Sequence, residues 1–175
     1  QIALKSVGMG VGDVAVVSGT TSPVATITDY KYYDKQERCW TDSNLGGDTY
    51  QVETNPGVTG LNYQKMKAFL FPDTSYEELE EEMAKQTEYL CTASFSSLYF
   101  SEKRSLKKGG FVMKAPFDAT MKPIHLIWAV VADIGCSIYV QYRSLCEMTG
   151  HEKEYILGCA GGFQSKMLCQ HLADL

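Results

Sequence analysis

The chain has 175 residues, 45 % of them hydrophobic, and its 16 basic and 21 acidic side chains give a formal net charge of −5. That length supports one ordinary domain with its own core, needing neither disulfide nor metal staples. Lys and Arg scattered on an acidic background exclude a nucleic-acid backbone binder. The longest apolar stretch, Ile124 to Ile134, is broken by His125 and Asp133, which leaves no apolar run of ~20 residues to span a bilayer.

In chain order, Asp13 opens an apolar run, Val14 to Val17, that ends at Ser18-Gly19-Thr20-Thr21-Ser22-Pro23 before a second β-rich run, Val24 to Thr28. Two such runs around a Gly/Thr/Ser/Pro turn predict a hairpin. A polar stretch, Asp29 to Asp48, carries no regular pattern, and Tyr50 to Thr54 reads as a third strand. Asn55-Pro56-Gly57 breaks the chain, and Val58 to Leu70 reads as a helix, with Leu61, Lys65 and Ala68-Phe69 near one face. An insertion follows. In it, Ser75 and Glu78 make a capping box ahead of Leu79, Met83 and Ala84, and the acidic run Glu77, Glu78, Glu80, Glu81, Glu82 reads as a solvated face. A Ser/Phe/Tyr-rich segment, Thr92 to Ser105, leads to the basic turn Lys107-Lys108-Gly109-Gly110 and a short strand, Phe111 to Met113.

Pro123 starts the longest helix, running to about Met148, since proline's missing N–H costs nothing in a first turn. Its apolar side carries Leu126, Ile127, Val130, Ile134, Ile138 and Val140, with a polar edge at Asp133 and Gln141. Glu154 to Cys159 reads as a buried strand, Ala160-Gly161-Gly162 as a tight turn and Gln164 to Ala173 as a helix. A glycine turn feeding a helix N-terminus suits a phosphate or nucleotide, because unpaired N–H groups and the helix dipole face the ligand. The order is β-β-β-α, an insertion, then α-β-α, in one α/β domain.

The six cysteines, Cys39, Cys91, Cys136, Cys146, Cys159 and Cys169, form no C-x-x-C pair. They read as reduced thiols in a cytoplasmic protein. His125, His151 and His171 share no metal-ligand spacing. Asp133 and Lys166 read as solvated positions, Asp174 as structural, and Trp40 and Trp128 as packing residues. Gln1 is no initiator methionine, and Met167 to Leu175 still reads as helix without a stop signal. A piece of a longer protein, cut at both ends, is the expectation.

Three glycine-centred turns then line up: Ser18-Gly19-Thr20-Thr21 between two strands; Thr59-Gly60-Leu61, opening the first helix, with Gln64 one turn on; and Ala160-Gly161-Gly162, followed by Leu168-Cys169-Gln170-His171-Leu172-Ala173-Asp174. This ordered set resembles the carboxy-terminal domain of the FGGY family of carbohydrate kinases across essentially the whole chain. The resemblance implies one half of an actin-like ATPase (ribonuclease H-like) fold, a βββα-βα core with an insertion. Two such halves clasp Mg-ATP between them. It places Gly19 and Thr20 at the terminal phosphates, Gly60 and Gln64 along the phosphate channel, Gly161 and Gly162 against the adenosine, and Ser165 near the base or ribose. A lysine-bearing P-loop, G-x-x-x-x-G-K-[ST], does not occur.

The chain departs from the family pattern in three places. His125 to Ala132 matches the second signature only partly, with Ala132 where an acidic residue or Gln is usual. Ala115 stands where Gly is usual, and Ser101-Glu102-Lys103-Arg104 replaces a Gly-Glu-Arg stretch. These changes point to a divergent branch similar to autoinducer-2 kinases and, at lower fidelity, to xylulose and glycerol kinases. The resemblance also implies that the general-base Asp lies about two residues before Gln1 and that a missing first domain binds most of the sugar or polyol. The expected cofactors are ATP/ADP and Mg²⁺, the expected catalytic residues of this chain none, and its expected partners a sugar or polyol substrate and a second copy in a homodimer. A non-catalytic ATP-binding or regulatory module on the same fold is the alternative.

Overall fold

The computed structural model describes Ala3 and residues 6–45, 47–96 and 108–175. Strand β1 (Val14–Val17) pairs antiparallel with β2 (Val24–Thr28), as the hairpin pattern predicts, with Val14 opposite Thr26 and Val16 opposite Val24. Strand β4 (Tyr50–Thr54) lies antiparallel to β2 on its other side. The polar stretch before it holds a strand not foreseen, β3 (Trp40–Ser43), which pairs antiparallel with β4 at the edge of the sheet. Trp40-Thr41-Asp42-Ser43 has no apolar alternation because an edge strand half in water has no face to bury. Trp40 is accordingly 46 % exposed rather than packed inside.

Helix α1 (Gly60–Leu70) and the capped helix α2 (Tyr76–Ala84) follow. The expected capping box is present: the Glu78 amide donates to Ser75 Oγ at 3.1 Å and the Ser75 amide to the Glu78 carboxylate at 2.8 Å. Strands β5 (Cys91–Ser94) and β6 (Gly110–Met113) form a separate antiparallel ribbon. Only β6 had a strand pattern. The Ser101-Glu102-Lys103-Arg104 stretch, most of the Ser/Phe/Tyr-rich segment and Lys107 lie outside the described residues. Helix α3 (Pro123–Thr149) is the spine of the domain; Gly150 ends it in the left-handed conformation at φ 73°. Strand β7 (Leu157–Cys159) then adds parallel to β1, completing the order β3-β4-β2-β1-β7. It is shorter than expected and half-buried, because it closes the other edge of the sheet. A 3₁₀ turn, Gly161–Gln164, separates it from helix α4 (Lys166–Asp174).

Alternation along β1 divides its side chains between two layers. Val14 and Val16, with Val24 and Val52, face α3 in the main core, which also takes Leu79 and Met83 of α2 and Leu168 of α4. Ala15 and Ala25 face the opposite side, beneath Val7, Met9, Val17 and Leu157. Trp128 of α3 is buried as expected and stacks on Tyr89, ring centroids 3.8 Å apart. Val140, assigned to the apolar side, is 60 % exposed.

Two further readings are corrected. Counting unbroken apolar residues understates α3, whose 27 residues include an 18-residue window of mean hydropathy 1.6, long and apolar enough to cross a membrane by length and composition. Here that apolar side packs on the sheet, which accounts for both its length and its hydropathy. Asp133, read as solvated, accepts the Phe95 and Ser96 amides at 2.9 Å each, so the polar edge of α3 anchors the end of β5.

The polar stretch between β2 and β3 is ordered by an ionic clip. Asp34 accepts from the Arg38 amide at 2.8 Å, from Nε at 3.0 Å and from a terminal guanidinium nitrogen at 3.1 Å. The hydrogen-bonded Arg38 guanidinium holds the Asp34 carboxyl below its usual range. A carboxyl whose folded pKa is depressed contributes stability above its unfolded value and loses it as pH falls through the folded one. Asp34→Asn is therefore expected to cost about 1–2 kcal/mol at pH 7, and the gap to the wild-type chain should close below about pH 4. Urea titrations at pH 7 and pH 3 check this; a gap of equal size at both would sink it.

Candidate functional site

Strand β2 is antiparallel to both β1 and β4, so β1 and β4 run in the same direction, as does β7. The carboxyl ends of β1, β4 and β7 therefore all point to the same end of the sheet, each followed by one of the glycine turns. Ligands bind outside such strand ends in open α/β sheets.

The three turns are tied together by short bonds. From β1, the Ser18 amide donates to Cys159 O at 3.0 Å, and Ser18 O accepts the Gly162 amide at 2.8 Å. On the other side, the Thr59 amide donates to Thr20 O at 3.0 Å. Beneath them runs a chain of buried hydroxyls: Ser22 Oγ lies 3.1 Å from Ser18 Oγ and 2.7 Å from Thr59 Oγ1. Hydrogen bonds in such a buried network hold turns rigid before any ligand arrives.

Two of the glycines are fixed by the protein itself. A Cβ on Gly60 would lie 2.1 Å from Gly19 O, and one on Gly162 would lie 2.1 Å from Ser18 Oγ. Gly19 and Gly161 differ: both are exposed, and a Cβ on either would meet nothing within 4 Å. Ala160, between β7 and Gly161, is held at φ 73°, ψ 179°. That region is almost confined to glycine, and residues strained in this way gather at binding turns.

A cleft of about 420 Å³ opens over these turns, and Gly19, Thr20, Gly60, Gln64, Gly161, Gly162 and Ser165 all line it. The structure thus brings all seven sequence-derived positions to one cavity, within the size range of small-molecule sites. One detail changes. The Gly19 amide closes its own loop by donating to Thr21 O at 2.9 Å, so what Gly19 offers the cleft is space, and exposed Thr20 is the polar group beside it.

The sequence reading missed the wall supplied by α2. Glu80, placed in a solvated acidic face, lines the cleft with Glu77, Tyr76 and Tyr63. Its carboxylate accepts the Ser165 hydroxyl at 2.5 Å and the Met167 amide at 3.1 Å, while Ser165 Oγ caps α4 by accepting the Leu168 amide at 3.1 Å. Sequence offers no signal for this contact, because the partners are 85 positions or more apart. Tyr63 packs against Tyr76, ring centroids 5.8 Å apart, and its buried hydroxyl has no hydrogen-bond partner among the described residues. Burial, with Glu80 nearby, pushes the Tyr63 phenol far above its ordinary range.

The remaining candidates stay outside the cleft. His125 Nδ1 accepts the Lys122 amide at the start of α3, His151 Nδ1 lies 3.0 Å from Thr26 Oγ1, and Asp174 accepts from Gln170 within α4. Among the described residues no three His, Cys, Asp or Glu side chains converge as a metal cage.

A sheet of this order, spanned by a long helix and ending in glycine turns around one cleft, is half of an actin-like ATPase fold. Solved structures agree. Xylulose kinase from Rhodospirillum rubrum superposes with a TM-score of 0.79 at 16 % identity, covering 98 % of this chain and 35 % of that one. Plasmodium falciparum glycerol kinase with ADP gives 0.76 at 18 % identity, over 97 % of this chain and 34 % of its own. In sequence the chain is 41 % identical over 177 aligned positions to the "Putative sugar kinase YoaC" of Bacillus subtilis (strain 168), covering 100 % of this chain and 36 % of that protein. No family model matches the chain. Over its whole length the chain is thus similar to about a third of that protein and of each of those two kinases.

Proposed function

We propose that residues 1–175 are the carboxy-terminal, nucleotide-binding domain of an ATP-dependent kinase acting on a sugar or polyol hydroxyl. The observation that carries this reading is the convergence of three separate glycine turns, with Gly19 and Gly161 open to solvent, on one cleft at the carboxyl ends of β1, β4 and β7. Turns without side chains let a polyphosphate approach the backbone closely. The apolar remainder of the cleft, Leu61, Val131, Ile134 and Leu168, suits a nucleoside. The relatives named above are kinases of xylulose and glycerol, which supports an alcohol as the phosphoryl acceptor.

In this reading Thr20 and the turn around it hold the terminal phosphates, and the preformed Ser18–Ser22–Thr59 network keeps them aligned. The acceptor hydroxyl and its general base come from another domain, as does the closure that excludes water. Phosphoryl transfer rests on positioning and charge stabilisation, so half a cleft transfers nothing. Among the described residues no three His, Cys, Asp or Glu side chains gather as a metal cage, so Mg²⁺ in this reading is held chiefly by the nucleotide phosphates and water. Six free thiols fit a reducing, cytoplasmic setting.

The test compares ADP release by the full-length protein and by this chain across polyols and ketoses, including the autoinducer-2 precursor. Release by the full-length protein that depends on one acceptor, with weak ATP binding and no release by the chain alone, is the expected result. Full-length protein that binds ATP but releases ADP with none of them would point to a regulatory module instead.

A further inference from the structure

The wall of the cleft formed by α2 carries two carboxylates, Glu77 and Glu80, and no Lys or Arg lines the cavity among the described residues. Uncompensated carboxylates repel phosphate and attract hydrogen-bond donors, so they give the cleft a direction. Glu77 is exposed and screened by water, whereas Glu80 is partly buried and held at both oxygens. Ser165 spends its single proton on Glu80 and a lone pair on the Leu168 amide. Ser165 is thereby a positioning residue, fixing the Glu80 carboxylate against the first turn of α4. A carboxylate oxygen has two acceptor positions, and each oxygen of Glu80 has one committed, which leaves acceptor capacity on a residue that lines the cleft.

We propose that Glu80 is a specificity-determining residue: it accepts a hydrogen bond from a donor on the nucleoside part of the ligand, a ribose hydroxyl or a base amine. It thereby turns the phosphates toward the Gly19–Thr20 turn. This assignment rests on the nucleotide reading of the cleft. It separates the nucleoside from the phosphates by charge alone, with no basic residue among the described residues that line the cavity. A nucleotide lacking the donor leaves a desolvated carboxylate facing nothing, and bonds to a charged acceptor are the costly ones to lose.

The experiment titrates ATP, 2′-deoxy-ATP, 3′-deoxy-ATP and inosine triphosphate into the 175-residue chain and into its Glu80→Gln variant. The wild-type chain is expected to bind one of the three analogues about tenfold more weakly than ATP. The analogue concerned identifies the donor as a ribose hydroxyl or the base amine, and Glu80→Gln should erase the difference. Equal binding of all four, or a preference that survives in Glu80→Gln, overturns the assignment alone. Binding of none overturns the nucleotide reading and the assignment with it. A second readout needs no variant: the side-chain carboxyl ¹³C resonance of Glu80 should shift with ATP and stay in place with tripolyphosphate. A resonance blind to ATP, or one moved by tripolyphosphate, overturns the assignment.

Discussion

Replacing Gly60 by alanine is expected to destabilise the chain by about 2–4 kcal/mol, an overpacking cost together with lost buried hydrogen bonds. The added Cβ would lie 2.1 Å from Gly19 O and 3.1 Å from Gly19 C, both backbone atoms that no rotamer change can move aside. Relief requires α1 to withdraw from the β1–β2 turn. That movement breaks the Thr59 amide bond to Thr20 O and pulls Thr59 Oγ1 from Ser22, exposing a break in the hydroxyl chain beneath all three turns. Alanine's better helix propensity returns at most about 1 kcal/mol. Whole domains are stable by only about 5–15 kcal/mol, so the loss should show as a large fall in the urea midpoint. A midpoint unchanged from wild type would mean that the turn yields freely and that the close approach of α1 holds nothing together.

How much of this was legible beforehand follows from how local each signal is. The β1–β2 hairpin, the Ser75 capping box and the proline start of α3 are written within a few residues and occur where expected. The seven cleft positions were legible because each sits in a glycine turn or within one helical turn of it, and the order of those turns resembles a known family. What stayed hidden depends on partners distant in sequence. Strands β3 and β5, with the polar sequences WTDS and CTAS, gain their conformation from β4 and β6 rather than from any pattern of their own. Glu80 and Asp133 look like solvated charges in their helices, yet each accepts two hydrogen bonds from a segment that only the tertiary fold brings near. Charge patterning describes the helix surface and is silent about what packs on it.

Gly19→Ala and Gly161→Ala should behave in the opposite way to Gly60→Ala: the fold holds and the ligand is lost. Neither glycine has a left-handed φ, and a Cβ on either meets nothing within 4 Å. Alanine there should change stability by less than about 1 kcal/mol, in the favourable direction because it restricts the unfolded chain. Glycine's space at these positions therefore serves nothing in the protein's own packing. In the proposed reading it serves the approach of phosphate to the turn after β1 and of the nucleoside to the turn after β7. A methyl group set between a ligand and the backbone it touches removes contacts and their hydrogen bonds together, and about a tenfold or greater loss of ATP affinity is expected at each site. Calorimetric titration of ATP into the two variants, beside their urea curves, separates binding from folding. Variants that fold like the wild type and bind ATP equally well would show that open glycines mark these turns for local reasons alone, and the nucleotide reading of the cleft would lose its main support.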